Sequence, residues 1–279
     1  MALLTGKRIL VTGVLTPHSI AFAAARAAAE HGAETVLTSF GKARRLTERA
    51  ARQLDPVPDV LELDVTDEGH WADVGAELER RWQGLDGALH AVAFAPPTCM
   101  GSGLLGTPWG DVATALHVSA FSLKALAEMA GPLMDKAGGG SIVGLDFDSQ
   151  RAWPAYDWMG VAKSALESTA RYLACELGRK RVRVNLVASG PIRSTAARAI
   201  PGFKAATHLW GLRAPLGWDA DAGGAGAVAG ACVALWSDLL PATTGEILHA
   251  DGGHHAVALG MSEVALSMQA ASPGAVAAS

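Results

Sequence analysis

Three side chains near the middle of the chain have types and spacing that fit a hydride-transfer site. Phe147, Tyr156 and Lys163 lie in the stretch GLDFDSQRAWPAYDWMGVAKSALESTA, residues 144–170. At about 100° per helical residue, the seven steps from Tyr156 to Lys163 come to about 700°, which brings both side chains to one face of a helix. A rise of about 1.5 Å per residue separates them by roughly 10 Å along that face. They could therefore contact different parts of one elongated ligand.

The phenol and the ammonium group suit different tasks in such a site. An unperturbed phenol titrates near about 10, so Tyr156 is protonated at neutral pH and can donate a hydrogen bond to an oxygen that gains charge during a reaction. Lys163 carries three ammonium donors, which suit a sugar diol or a phosphate. Taken alone, the pair has a second interpretation, in which Tyr156 is an aromatic residue at the edge of the core and Lys163 is a solvated charge.

Composition narrows the class of protein. The chain has 279 residues, of which 50% are hydrophobic and 18% are charged, with a net charge of −4. We expect residues 1–260 to form a single domain, followed by a disordered Ala/Ser-rich tail over 261–279. The charge balance predicts no nucleic-acid partner, and no apolar stretch predicts a membrane span. Three well-separated cysteines, Cys99, Cys175 and Cys232, predict reduced thiols and a cytoplasmic location.

The elements that must position these side chains follow from the hydrophobic pattern. Apolar runs rich in Val, Ile and Leu alternate with longer amphipathic or Ala-rich segments, which is typical of a parallel sheet covered on both faces. The predicted strands are 8–12, 35–38, 60–63, 88–93, 141–145, 182–187 and 247–249, and the predicted helices are 20–31, 42–54, 68–82, 111–134, 156–177 and 222–236. The sequence predicts an α/β fold of the Rossmann type, a doubly wound sheet of about seven parallel strands with helices on both faces.

The turn after the first strand bears on a cofactor. Gly13 ends this strand, and Ser19 and Ile20 open an Ala-rich helix. A glycine at this place lets the backbone approach a ligand, and a helix N-terminus binds anions, so a pyrophosphate would fit there. The GxGxxG fingerprint is absent because Gly13 is the turn's sole glycine, so an ordinary strand-to-helix turn is the alternative.

The ends of the second and third strands bear on the adenosine half of a dinucleotide. The second strand ends in TSFG with no acidic residue to bind a ribose 2′-hydroxyl, whereas Lys42, Arg44 and Arg45 follow closely. The choice between NADH and NADPH stays open at this point, since the basic residues are equally typical of a solvated helix face. Asp64 and Val65 end the third strand, where they could contact an adenine edge, although such an Asp also serves as a helix cap or turn residue.

Six segments in order resemble the enoyl-acyl-carrier-protein reductase family over about residues 7–254. They are GVLTPHSIA at 13–21, LELDV at 61–65, SIVGLDFD at 141–148, PAYDWMGVAKSALES at 154–168, GPIR at 190–193 and LPATTGEILHADGG at 240–253. The chain is similar to the actinobacterial type, in which the aromatic residue before the Tyr is Phe, as Phe147 is here. The family has G-x5-S-I-A in place of GxGxxG, and Tyr-x6-Lys where most short-chain dehydrogenases have Tyr-x3-Lys.

The resemblance implies an NADH-dependent homotetramer, with NADPH not excluded, that reduces trans-2-enoyl thioesters of acyl carrier protein or CoA in type II fatty acid synthesis. It implies hydride transfer to C3, an enolate oxygen stabilised by Tyr156, Lys163 on the nicotinamide ribose, and Phe147 and Met159 beside the substrate. The implied cofactor residues are Gly13, Ser19, Ile20, Phe40, Asp64, Val65, Val92, Lys163 and Ile192. The histidines at 249, 254 and 255 lack metal-ligand spacing, so no metal is predicted.

Two departures from the family pattern carry expectations of their own. At the end of the fourth strand the family usually has His-Ser-x-Gly-Phe, whereas this chain has His-Ala-Val-Ala-Phe at 90–94. Ala91 offers no hydroxyl to the pyrophosphate, and the methyl of Ala93 overpacks the cofactor at a cost of about 1 to 3 kcal/mol, so we expect weaker cofactor binding. A low-activity cofactor-binding homologue, either a sensor or a drug-tolerant second copy, is therefore the alternative. Another short-chain carbonyl reductase is opposed by Tyr-x6-Lys.

The second departure is the loop over 194–212, which should cover the acyl chain. It is shorter than in the mycobacterial long-chain enzymes, which predicts short to medium acyl chains. Its apolar residues Ile200, Phe203, Leu209 and Trp210 would line a crevice, and the alternative is a mobile surface flap. We expect the Trp residues at 153, 158, 210, 218 and 236 to serve packing or an interface.

Overall fold

Seven parallel strands form one sheet in the computed structural model, which describes residues 2–195, 197 and 200–258. The strands are β1 (Arg8–Val11), β2 (Glu34–Ser39), β3 (Val60–Glu62), β4 (Gly87–His90), β5 (Gly140–Asp146), β6 (Val182–Ser189) and β7 (Ile247–Ala250). Their order in the sheet is β3-β2-β1-β4-β5-β6-β7, so the direction of strand succession reverses between β1 and β4. The predicted Rossmann-type α/β fold is confirmed. The tail predicted over 261–279 lies outside the described residues.

Helices cover both faces of this sheet. They are α1 (Ile20–Glu30), α2 (Arg44–Ala51), α3 (Glu68–Trp82), α4 (Trp109–Leu116), α5 (Ser122–Lys136), α6 (Asp157–Leu177), α7 (Phe203–Arg213) and α8 (Ala222–Trp236). On one face, the alanines of α1, such as Ala24 and Ala28, pack in one cluster with Val228 of α8. The other face buries larger side chains, including Trp71 and Leu126. No helix in the described ranges combines the length and the apolar character needed to cross a membrane.

The single helix predicted over 111–134 is wrong, because a π-helical turn at His117–Phe121 separates α4 from α5. Two serine hydroxyls form hydrogen bonds with main-chain groups there. The hydroxyl of Ser119 accepts the Phe94 N–H at 3.0 Å and donates to the Phe94 carbonyl at 2.9 Å, and the hydroxyl of Ser122 donates to the Val118 carbonyl at 2.7 Å. Such turns within helices are frequent at functional sites. This one ties the helix to the segment that follows β4.

Two other differences from the predicted bounds bear on the site. The strand expected over 88–93 ends at His90, because the Ala91 N–H donates to the Thr12 hydroxyl at 3.1 Å instead of continuing the ladder. The segment expected as a loop over 194–212 contains α7, which is held to the core by buried Trp210, whose Nε1 donates to the Asp251 carbonyl at 2.9 Å. The apolar residues of this segment do not recur with a helical period, so the sequence pattern did not reveal the helix.

Candidate active site

A groove of about 570 Å³ runs along the carboxyl ends of the strands at the reversal between β1 and β4. Ligands of open α/β sheets bind at this place, outside the carboxyl ends of the strands. The predicted cofactor residues on its wall are Gly13, Ser19, Ile20, Phe40, Asp64, Val65 and Val92. Two further predicted residues lie off this wall. Ile192 is buried in the same hydrophobic cluster as Val14, and the Lys163 ammonium donates to the carbonyl of Leu145. Val14 and Leu145 both line the groove.

The groove wall requires glycine at residue 13, where the backbone closely approaches Ala91. Gly13 has φ +81°, and a Cβ built there would lie 2.0 Å from the carbonyl oxygen of Ala91. The Ser19 hydroxyl accepts the N–H groups of Leu15 and Thr16 at 3.0 Å each, which orders the turn that leads into α1. The first turn of α1 carries no acidic residue. A close backbone approach followed by a helix N-terminus fits a pyrophosphate, so the groove has the form that a dinucleotide needs.

The adenosine end is built from residues that follow β2 and β3. The Asp64 carboxylate accepts the N–H and the hydroxyl of Thr66 at 2.9 and 2.7 Å, so this residue forms a turn, while Asp67 caps α3. Phe40 is half exposed on the groove wall. Ala91 and Ala93 also line the groove, and their effect on cofactor affinity stays a prediction.

Phe147, Tyr156 and Lys163 are brought together at the end of β5 and the start of α6. The Phe147 and Tyr156 rings meet edge to face with their centroids 5.2 Å apart. Lys163 is only 6% exposed, and its Nζ donates to the carbonyl of Leu145 at 2.9 Å. Because Leu145 lines the groove, the ammonium group is bonded to a residue of the groove wall. The phenol and the ammonium group are therefore both held against the end of β5, the phenol through Phe147 and the ammonium group through Leu145.

Tyr156 sits between two residues with unusual backbone angles. Helix α6 begins at Asp157, one residue later than predicted, and the Tyr156 carbonyl accepts the Met159 N–H at 2.9 Å. Ala155 has φ +63° and Asp157 has φ +38°. Non-glycine residues in this region cost of order 1–3 kcal/mol each and cluster at active sites. One hydrogen bond offsets part of this conformational cost, since the Asp157 carboxylate accepts the Gly103 N–H at 3.1 Å.

Charges beneath the site set its protonation states. The buried carboxylate of Asp146 lies 3.9 Å from the Lys163 ammonium. Burial raises the pKa of Asp146 to about 7, against the opposing pull of Lys163. Burial also lowers the pKa of Lys163, an effect that Asp146 and Glu167 oppose. The pKa of Tyr156 is raised, first by burial and then by the charge of Asp146, so the phenol keeps its proton at neutral pH. Sequence reasoning missed Asp146 as a functional residue.

His90 is a second buried group that sequence reasoning treated only as part of a motif. Its Nε2 lies 2.7 Å from the Ser122 hydroxyl, whose own proton goes to the Val118 carbonyl. We therefore assign the proton of the neutral ring to Nε2, which donates to Ser122. Burial, and then the charge of Lys163, lower the pKa of His90 to about 3. His90 is neutral throughout the physiological range.

An aromatic cluster packs around Phe147. Trp153 and Trp210 lie 5.0 and 5.6 Å from Phe147, and Trp210 stacks on His254 at 3.7 Å. The two tryptophans were expected to serve packing, and they pack directly on a predicted catalytic residue. Met159 is buried in a small cluster that also contains partly buried Tyr156.

Two histidines near the end of the described chain, His249 and His255, pair with each other. The rings of His249 and His255 stack at 3.8 Å, and His255 bonds to Asp251 at 3.0 Å. In the part of the chain that the structure describes, no group of three His, Cys, Asp or Glu side chains is placed to hold a metal ion.

Known proteins align with this sequence over nearly its whole length. A family model described as "Enoyl-(Acyl carrier protein) reductase" matches residues 13–255. A protein named "Enoyl-[acyl-carrier-protein] reductase [NADH]" from Mycolicibacterium smegmatis is 44% identical over 265 residues, covering 90% of this chain and 97% of its own. A protein of the same name from Mycobacterium avium is 44% identical over 264 residues, with the same coverage. A relative from Haemophilus influenzae is 35% identical over 266 residues, or 93% of this chain and 98% of its own.

Proposed function

Since the chain belongs to the enoyl-[acyl-carrier-protein] reductase family, we propose that it reduces trans-2-enoyl thioesters with NADH in fatty acid synthesis. The observation that carries the proposal is a strand end at which Phe147 contacts Tyr156 and Lys163 donates to Leu145, a residue on the wall of a groove that suits a dinucleotide. The names of the relatives support NADH as the cofactor.

In this proposal the chain holds the dinucleotide through the groove wall. The backbone at Gly13 and the N-terminus of α1 hold the pyrophosphate, Asp64 and Val65 hold the adenine, and the Lys163 ammonium binds the nicotinamide ribose. When bound, the cofactor supplies a hydride to C3 of the enoyl group. The protein contributes orientation and electrostatics.

Tyr156 stabilises the charge that develops on the thioester oxygen. As C3 gains the hydride, the carbonyl oxygen becomes an enolate oxygen, and the phenol donates a hydrogen bond to it. The raised pKa of Tyr156 keeps this proton on the phenol, so the residue acts as a hydrogen-bond donor through neutral pH. The edge of the Phe147 ring against Tyr156 restricts the rotation of the phenol and forms one side of the substrate site.

We infer that both acyl carrier protein and CoA thioesters are accepted, with short to medium acyl chains. Packing of Trp153 and Trp210 against Phe147 supports the limit on chain length, because these rings fill the space behind the reacting carbons. A cytoplasmic location is supported by the buried free thiols of Cys99 and Cys232.

We also infer a homotetramer. Four apolar side chains are exposed on α4, the π-helical turn and α6, elements that pack against one another: Trp109 (73% exposed), Phe121, Val161 and Tyr172 (77% exposed). Large exposed apolar side chains that are grouped in this way mark interaction surfaces. Sedimentation equilibrium of the wild type and of Tyr172→Glu tests the assignment, and a monomeric wild type would contradict it.

The test of the activity is the loss of NADH absorbance with a trans-2-dodecenoyl thioester, with NADPH and a 3-oxoacyl thioester in parallel. We expect turnover of the enoyl substrate, and a fall of about 10²–10³ in kcat for Tyr156→Phe, as for the loss of one oxyanion donor. The NADH dissociation constant should stay unchanged in that variant. Reduction of the 3-oxoacyl substrate alone would instead assign a carbonyl reductase.

A cofactor-binding homologue of low activity is the second candidate, and the position of Ala91 and Ala93 on the groove wall favours it. Binding of NADH without turnover of either thioester would support it. The Ala91→Ser, Ala93→Gly double variant should then bind NADH more tightly and become more sensitive to inhibitors of this family. Unchanged NADH affinity and inhibitor sensitivity would exclude these two alanines as the cause.

A further inference from the structure

We propose that Glu62 is a specificity-determining residue, whose carboxylate excludes the 2′-phosphate of NADPH from the adenosine end of the groove. The inference rests on the proposed function, since it assigns the cofactor choice of the same site. The segment after β2 carries no carboxylate, and the structure supplies one from the neighbouring strand. Glu62 ends β3 in register with Ser39 of β2, which itself lines the groove.

The carboxylate occupies the backbone donor that a phosphate would use. Oε1 of Glu62 accepts the N–H of Gly41 at 2.8 Å. Gly41 directly follows Phe40, and both Phe40 and Leu63 line the adenosine end of the groove. This hydrogen bond therefore holds the Glu62 carboxylate at the rim of this end, beside Phe40. An arriving phosphate would have to displace this carboxylate and would meet its negative charge.

The same carboxylate also engages Arg44, the residue that would otherwise be suited to a phosphate. Nη1 of Arg44 donates to Oε2 of Glu62 at 3.0 Å, Nε donates to Glu48 at 3.0 Å, and Nη2 donates to the Val60 carbonyl at 3.0 Å. Each guanidinium nitrogen thus has a partner within the protein. A planar guanidinium held by two carboxylates has little remaining capacity for the bidentate bonding that phosphate recognition uses.

The ionisation of this group agrees with the geometry. The Gly41 N–H, followed by Arg44, lowers the pKa of Glu62, so its carboxylate is negatively charged at neutral pH. Lys42 and Arg45 are exposed to solvent, where water and salt screen their attraction for a phosphate. The balance at this end of the groove is therefore set by the carboxylate that is fixed at its rim.

The test is Glu62→Gln, which keeps an acceptor for the Gly41 N–H, removes the negative charge and releases Arg44. Dissociation constants of NADH, NADPH and adenosine 2′,5′-bisphosphate are measured by calorimetry without a thioester substrate. We expect the ratio of the NADPH and NADH constants to shift about tenfold toward NADPH, as for removing one nearby like charge in a solvent-screened setting. Adenosine 2′,5′-bisphosphate should gain affinity in parallel.

Two further variants separate charge from structure. Glu48→Gln removes the other carboxylate on Arg44 without touching Gly41, so it should shift the ratio by less than Glu62→Gln does. Glu62→Asp keeps the charge, and it should keep NADPH rejected. An unchanged ratio in Glu62→Gln, an equal gain in Glu48→Gln, or an equal gain in Glu62→Asp would each overturn the proposal. Because these are binding measurements, they test Glu62 even if the enoyl thioester is not turned over, which would count against the proposed function alone.

Discussion

Replacement of Asp146 by Asn should change the pH at which the chain loses NADH. The Asp146 carboxylate lies 3.9 Å from the Lys163 ammonium, and both groups are buried. At that separation two unit charges interact by about 1 kcal/mol in water and by about 4 kcal/mol at an effective permittivity of about 20. At about 1.4 kcal/mol for each pKa unit, Asp146→Asn should lower the pKa of Lys163 by about 1 to 3 units.

The sign of the effect depends on the state of Asp146 itself. The pKa of Asp146 is raised to about 7, so below that pH its carboxyl group is neutral in the wild type, as Asn is in the variant. Above that pH the wild-type carboxylate holds the proton on Lys163, whereas the variant loses it sooner. Glu167, His90 and Tyr156 also surround the pair and are unchanged in both proteins. NADH affinity should therefore coincide at low pH and fall earlier in the variant as the pH rises.

The assay is the NADH dissociation constant, measured by cofactor fluorescence from about pH 6 to about pH 10.5, which runs from below the pKa of Asp146, about 7, to the usual pKa of a lysine. Asp148→Asn is the matched control, because this buried carboxylate is close in sequence but accepts the Gln150 N–H at 3.0 Å. Superimposable profiles for the wild type and Asp146→Asn across the range would refute the reasoning. An equal displacement in Asp148→Asn would show that any carboxylate at this strand end has the effect.

Three other substitutions have definite expected outcomes. Gly13→Ala should abolish measurable NADH binding in calorimetry, because its Cβ would lie 2.0 Å from the Ala91 carbonyl oxygen at φ +81°, and unchanged affinity would contradict the close approach. His90→Gln should weaken the dependence on acid pH of the free energy of unfolding measured in urea. The pKa of His90 is lowered to about 3 in the folded protein, so the wild type loses stability as the pH falls from about 6.5 toward 3. Glutamine takes no proton, so the variant lacks this loss. An equal loss in both proteins would refute this. Ala155→Gly should raise the free energy of unfolding by about 1 kcal/mol in urea titrations, because glycine adopts the positive φ next to Tyr156 without strain, and a fall would argue against that strain.

The sequence by itself determined the fold class and most of the predicted cofactor residues that line the groove. Strands and helices follow from hydrophobic periods that are local properties of the chain, and the predicted sheet of about seven parallel strands is the observed one. The seven-residue interval predicts one helical face for Tyr156 and Lys163, whereas Tyr156 precedes α6 and only Lys163 lies within it. The groove residues from Gly13 to Val92 were predictable because the carboxyl ends of parallel strands meet at one edge of the sheet.

Tertiary structure alone decided where elements end and which charges meet. Strand β4 stops at His90 because the hydroxyl of Thr12, the residue after β1, takes the next N–H, and no local pattern encodes that bond. Glu62 reaches Gly41 across two strands, and Asp146 reaches Lys163 between a strand and a helix. Their ionisation depends on burial and on charges that are distant in the sequence. Hydrophobic periods specify the faces of elements, whereas these contacts exist only after the elements have packed.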